Sequence, residues 1–143
     1  QQAGVTVISN SMPVLETLKA NPNIIVIATG GAIRHTSQTL VGPTAEATLR
    51  EMRADKLFLS VSGVSLSFGL SHPNLSEVTI KQTMIRSARE VILLADHTCF
   101  GHESFIHVAS LRSVHKLITD DALPASFRLE LSKLGIEVVL ARM

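Results

Sequence analysis

The sequence contains no tryptophan and no tyrosine, and its aromatic content is five phenylalanines in 143 residues. A core of any size must therefore be aliphatic, and no aromatic platform for stacking nucleic-acid bases is evident. Cys99 is the single cysteine. No intrachain disulfide can form, which fits a reducing, cytoplasmic setting. No apolar run reaches the ~18–20 residues of a membrane span, and Gln1 to Gly4 do not read as a signal peptide. Excess charge is lacking too: 13 basic against 12 acidic residues leave a net +1. That balance is not the footprint of a domain that neutralises many phosphates, so these residues are not expected to hold DNA themselves. Neither a Gly-x-Gly-x-x-Gly run nor a Walker loop occurs, which disfavours nucleotide binding.

What is present is aliphatic residue in short runs. Hydrophobic residues make up 45% of the chain, which suits a buried sheet covered by helices. Val5 to Ser9 and Ile24 to Ala28 read as strands. Between them Asn10, Ser11 and Pro13 signal a helix start. Gly30-Gly31 opens a loop to about Gly42, and Pro43 begins a helix with Ala45, Leu49 and Met52 on one face. Leu57 to Val61 is the third strand, and residues 62–74 form a loop rich in Ser and Gly. A helix is expected from about Leu75 to Arg89, striped by Ile80, Met84 and Ala88. Val91 to Ala95 is the fourth strand, followed by short strands at Phe105 to Val108 and Lys116 to Thr119. Pro124 opens a last helix with Phe127, Leu131 and Leu134 inward, stopped by Gly135, before a strand at Ile136 to Ala141. This alternation predicts an α/β fold with a mostly parallel sheet in three layers, helices on both faces.

In such sheets ligands bind beyond the carboxyl ends of the strands. The segments there carry Ser9, Asn10 and Ser11; then Thr29, Gly30, Gly31 and Arg34; then Ser62 and Gly63; then Asp96, His97, Thr98 and Cys99. Small residues let backbone N–H groups approach an anion, and Asn, Asp and hydroxyls suit a sugar. Each of these loops, taken singly, also reads as an ordinary turn. Glu77 and Lys81 stand four apart on the expected helix, where an exposed ion pair is the plain reading. His97, His102 and His107 are spaced by five beside Glu103, with no His-Glu-x-x-His and no Cys pair, so no metal site is expected. Cys99 lacks a catalytic signature and reads as a buried or loop thiol.

In order along the chain, these pieces resemble the carboxy-terminal sensor domain of DeoR-family repressors. Val7-Ile8-Ser9-Asn10-Ser11 is similar to the family strand ending Thr-Asn-Ser. Gly30-Gly31 and Gly42 match its glycine loop. Asp55-Lys56-Leu57-Phe58-Leu59 with Ser62-Gly63, then Gly69, match its strand and Ser-Gly loop. Glu77 and Lys81 occupy its acidic and basic helix positions. Leu93 to Thr98, then Phe100-Gly101, match Asp-x-Ser/Thr-Lys-Phe-Gly, and Leu117-Ile118-Thr119-Asp120 matches Leu-Ile-Thr-Asp. The resemblance covers nearly the whole chain.

It implies a fold like ribose-5-phosphate isomerase, glucosamine-phosphate deaminase and CoA transferases. It implies residues 1–143 as one effector-binding domain lacking its first strand, with a DNA-binding helix-turn-helix domain outside the chain. It implies a homo-oligomer, no cofactor, and a phosphorylated sugar or sugar-derived effector that releases the repressor from operator DNA. The contacts implied are Asn10, Ser11, Gly30, Gly31, Arg34, Ser62, Gly63, Glu77, Lys81, Asp96 and Cys99. Two residues depart from the family pattern: Cys99 stands where a lysine is usual, and Ser65 where an aspartate is frequent. The rival expectation is a sugar-phosphate isomerase on the same fold, with Asp96 or Glu77 as base.

Overall fold

The computed structural model describes residues 4–142. They divide into two compact units, before and after the Met52–Arg53 junction. The first holds a parallel pair, β1 (Val5–Ser9) and β2 (Ile24–Ala28), joined by helix α1 (Met12–Leu18). Ser11 caps α1, its Oγ accepting from the Val14 N–H at 3.4 Å, and Pro13 sits in the first turn, where its missing N–H costs nothing. The stretch expected as a Gly30–Gly42 loop is instead an antiparallel hairpin, β3 (Ala32–Arg34) and β4 (Thr39–Val41). Helix α2 (Pro43–Arg50) follows, burying Ala45 and Leu49, while Met52 lies beyond its end.

The second unit is built on a four-stranded, all-parallel sheet in the order β11-β10-β8-β5. Its strands are β5 (Ala54–Leu59), β8 (Ala88–Leu94), β10 (Lys116–Asp120) and β11 (Glu137–Ala141). β5 starts three residues earlier than the apolar run suggests. Ladder hydrogen bonds to β8 carry Ala54, Asp55 and Lys56 into the sheet although they are polar or small. The Ser/Gly stretch expected as a loop contains β6 (Gly63–Ser65) and β7 (Gly69–His72), which pair antiparallel. The short strand near residue 106, β9 (Ile106–Ala109), joins β7 in that small antiparallel sheet, not the parallel one.

Helix α3 (Leu75–Ser87) is capped by Asn74, whose Oδ1 accepts from the Glu77 N–H at 3.1 Å. It stops two residues short of Arg89 because Ala88 already pairs with Ala54. Helix α4 (Ala125–Lys133) ends in a Schellman turn. Gly135 takes φ +82°, its N–H donates to Ser132 O, and the Ile136 N–H donates to Leu131 O. Leu131 and Ile136 are both buried at that turn, whereas Leu134, expected inward, is exposed as the C-cap. The core joins Leu59, Val91, Leu93 and Leu117 of the sheet to Val64 and Leu70 of the hairpin, Val78 of α3 and Leu131 of α4. In the second unit the segments that follow β5, β8 and β10 leave from the carboxyl end of its parallel sheet.

Candidate functional site

In the first unit, Asn10 and Ser11 leave β1 at its carboxyl end and are committed to the hairpin. The Asn10 side-chain amide donates to Leu40 O at 3.0 Å, and its backbone O accepts from the Leu40 N–H at 2.7 Å. Ser11 bridges Thr39 and caps α1. Gly30 and Gly31 follow β2 with φ of +72° and +111°, a region open to glycine. A Cβ on Gly31 would lie 2.6 Å from Val41 O and 3.0 Å from the Ala45 Cβ. Its bare backbone therefore lets the loop lie against the start of α2. Arg34 is half-buried on β3.

In the second unit, Ser62 and Gly63 follow β5. The Ser62 N–H donates to Ser71 O at 3.1 Å. Gly63 is buried; a Cβ there would overlap His102 O and stand 2.6 Å from Ser71 Oγ. That hydroxyl accepts the Ser104 N–H at 2.8 Å. Ser65 is buried and donates to Glu103 Oε2 at 2.8 Å, and Ser67 donates to the same oxygen at 3.0 Å. Two serine hydroxyls thus converge on one carboxylate oxygen of the later loop.

Glu77 and Lys81 are not on a solvated face. Glu77 is only 3% exposed. Burial pushes the Lys81 ammonium below its ordinary pKa, and the charge of Glu77 opposes that shift. Both lie in the first two turns of α3, the end of the crossover helix nearest the carboxyl ends of the parallel strands.

After β8 the chain makes a one-turn 3-10 helix, His97–Cys99, capped by Asp96. Asp96 Oδ1 accepts the Thr98 N–H at 2.9 Å and also the Thr98 hydroxyl. These bonds hold its carboxyl below the usual range. Asp120, at the end of β10, accepts through one oxygen from both the His97 N–H, at 3.1 Å, and the ring Nδ1, at 2.9 Å. Its other oxygen accepts the Ala122 N–H at 3.0 Å. The bond to Asp120 raises the His97 imidazole above its ordinary pKa and lowers the Asp120 carboxyl. Cys99 turns inward: it packs against the core, its thiol donates to Val61 O at 3.7 Å, and burial pushes that thiol up.

The structure therefore brings Asp96, His97 and Asp120 together at the ends of two adjacent parallel strands, and Glu77 beside Lys81 on α3. Sequence reading assigns Asp120 no role. Its only signal is its place at the end of Leu117-Ile118-Thr119-Asp120, one strand over from Asp96-His97. Three other histidines are engaged away from this pair. His115 Nδ1 accepts the Val91 N–H, His72 Nδ1 accepts the Asn74 N–H, and His107 Nδ1 stands 2.7 Å from Phe68 O.

Polar groups gathered at the carboxyl ends of parallel strands are where α/β folds bind their ligands. The chain belongs to the DeoR family, residues 1–121 matching the DeoR C-terminal sensor domain. It is 39% identical over 137 residues to YulB, an uncharacterized HTH-type transcriptional regulator of Bacillus subtilis, covering 94% of this chain and 53% of that protein. It is 39% identical over 111 residues to the HTH-type transcriptional regulator GlpR of Haloferax volcanii, covering 78% and 44%. It is 31% identical over 134 residues to the HTH-type transcriptional repressor CsqR of Escherichia coli, covering 94% and 51%. The chain thus spans about half the length of the curated relatives it matches. Among the described residues no helix is long and apolar enough to cross a membrane.

Proposed function

We propose that this chain is the effector-sensing part of a cytoplasmic, homo-oligomeric repressor of a carbohydrate-catabolism operon. Its effector is a phosphorylated sugar or sugar-derived intermediate, and operator DNA is held by a helix-turn-helix domain outside these residues. The observation that carries the reading is Lys81. Lys81 is half-buried on α3 beside the buried Glu77, and burial presses its ammonium below its ordinary pKa while the charge of Glu77 opposes that shift. A ligand anion beside it would favour its charged form and be held by it.

In the second unit, Ser62, Gly63 and Lys81 are assigned to the anion, Glu77 and Asp96 to ligand hydroxyls, and Cys99 to the loop beside them. In the first unit, the ligand-contacting assignments are Asn10, Ser11, Gly30, Gly31 and Arg34. The relatives' names are those of regulators, which favours sensing over turnover of the same class of ligand. Regulation requires the ligand to favour the oligomer geometry that releases DNA, a coupling of ~1–3 kcal/mol between states.

The test is a thermal-shift and calorimetry panel of pentose and hexose phosphates, with the matching neutral sugars, on the full-length protein. A phosphorylated sugar is expected to raise the midpoint with concentration, and the same compound to dissociate operator DNA. A flat response across the panel, or an equal response to the neutral sugars, overturns the reading.

A further inference from the structure

We infer that His97, clamped by Asp120, is an oxyanion donor at the carboxyl end of the parallel sheet, and that its protonation gates anion binding there. The inference rests on the sensing role proposed above and adds pH as a second input.

The geometry is specific. One Asp120 oxygen accepts both the backbone N–H and the ring Nδ1 of His97. The two hydrogen bonds to one oxygen fix the ring's orientation as well as its position. An ionised carboxylate can only accept, so Nδ1 carries the proton in either state of the ring. The neutral ring therefore has Nε2 bare, and the charged ring has Nε2–H. Among the described residues nothing else bonds to Nε2, and the side chain is 50% exposed while that of Asp120 is 9% exposed. Asp120 cannot swing away cheaply, because its second oxygen holds the Ala122 N–H. The ring thus presents Nε2 to solvent as an acceptor at high pH and as a charged donor at low pH.

The charged groups facing the ring are Asp120 from the end of β10 and Asp96 from its own turn. The register neighbour of Asp120 on β11 is Ala141, which carries no charge. Both carboxylates favour the imidazolium, so its fraction at neutral pH exceeds that of a free histidine. Cys99, two residues on, contributes no cation: its thiol faces Val61 O and is held protonated by burial. The sign follows directly. Anion affinity is full below the raised His97 pKa and falls as pH rises through it.

The test follows the His97 imidazole by NMR from about pH 5 to 9, using the full-length protein. The probe is inorganic sulfate, whose charge is constant over that range, against chloride at equal ionic strength. If the charged ring binds sulfate tenfold better, saturating sulfate raises the His97 pKa by about one unit. Asp120→Asn is expected to return that pKa toward the ordinary value and shrink the sulfate effect. His97→Lys is expected to keep sulfate binding and lose its pH dependence across the range. A His97 pKa that sulfate leaves unmoved overturns the inference, as does an unchanged pH profile of sulfate binding in His97→Gln. Neither result touches the sugar-phosphate panel, so failure here and failure of the sensing role are told apart.

Discussion

The pair Glu77–Lys81 gives the sharpest quantitative test of the site. Were it a solvated helix pair, deleting either charge would cost a few tenths of a kcal/mol. The structure puts it in another regime, with Glu77 3% exposed and Lys81 lowered by burial. Helical residues four apart have Cβ atoms about 5–6 Å apart. Were the two charges also about 6 Å apart, an effective dielectric of ~20 would set their attraction at about 3 kcal/mol. Removing one partner also strands the other's charge in a desolvated place, which makes single deletions dearer than double ones. Glu77→Gln and Lys81→Met are each expected to cost about 2–4 kcal/mol. The double variant should recover a coupling of about 1–3 kcal/mol. Urea denaturation of the four proteins at pH 7 measures the cycle. A coupling below about 0.5 kcal/mol would refute the buried-pair reasoning and return both residues to a solvated face. In the ligand assay Lys81→Met should lose anion affinity by more than its stability loss explains, tested well below the melting range.

Two more outcomes follow from the loops around that pair. Gly63→Ala forces a methyl against His102 O and Ser71 Oγ, and should cost about 1–3 kcal/mol by overpacking. A denaturation midpoint equal to the parent's would show that the 102–104 loop yields freely. Cys99→Lys points a cation toward the core that the thiol now faces. It should lower the midpoint by about 1–3 kcal/mol without a gain in phosphate affinity; unchanged stability with tighter anion binding would place residue 99 on the ligand side instead.

How much of this was legible depends on which signal each element leaves. β1 and β2 fall where their β-branched runs end, at Ser9 and Ala28, because a continuous apolar run bounded by Asn, Thr or Gly has few other uses. The hairpins β3–β4 and β6–β7 read as loops in the sequence. Their strands are three or four residues long, too short to display alternation, and β6–β7 is written in Gly and Ser. There glycine marks close backbone approach: Gly69 lies against Ala109, as Gly63 lies against His102. The same letters mean turn or contact, and only the neighbours decide.

The charged residues were harder still, because periodicity reports which side of a helix is apolar, not how much of the rest is covered. Ile80, Val78, Thr83 and Ser87 of α3 are all buried along with Glu77, so covered positions spread beyond the single stripe expected from Ile80 and Met84. An acid in such a helix looks solvated in the sequence and is not. The 3-10 turn after β8 shows the reverse error. Three successive residues there divide their roles by geometry alone: His97 turns to Asp120 across the strand gap, Thr98 to Asp96, and Cys99 to Val61. Sequence comparison fastens on Cys99 because a lysine is usual there, and reads a lost cation. The turn puts the titratable cation two residues earlier, where a carboxylate from the next parallel strand can hold it. On the inference drawn for His97, a cation near this edge stands two residues before Cys99 and is conditional on pH.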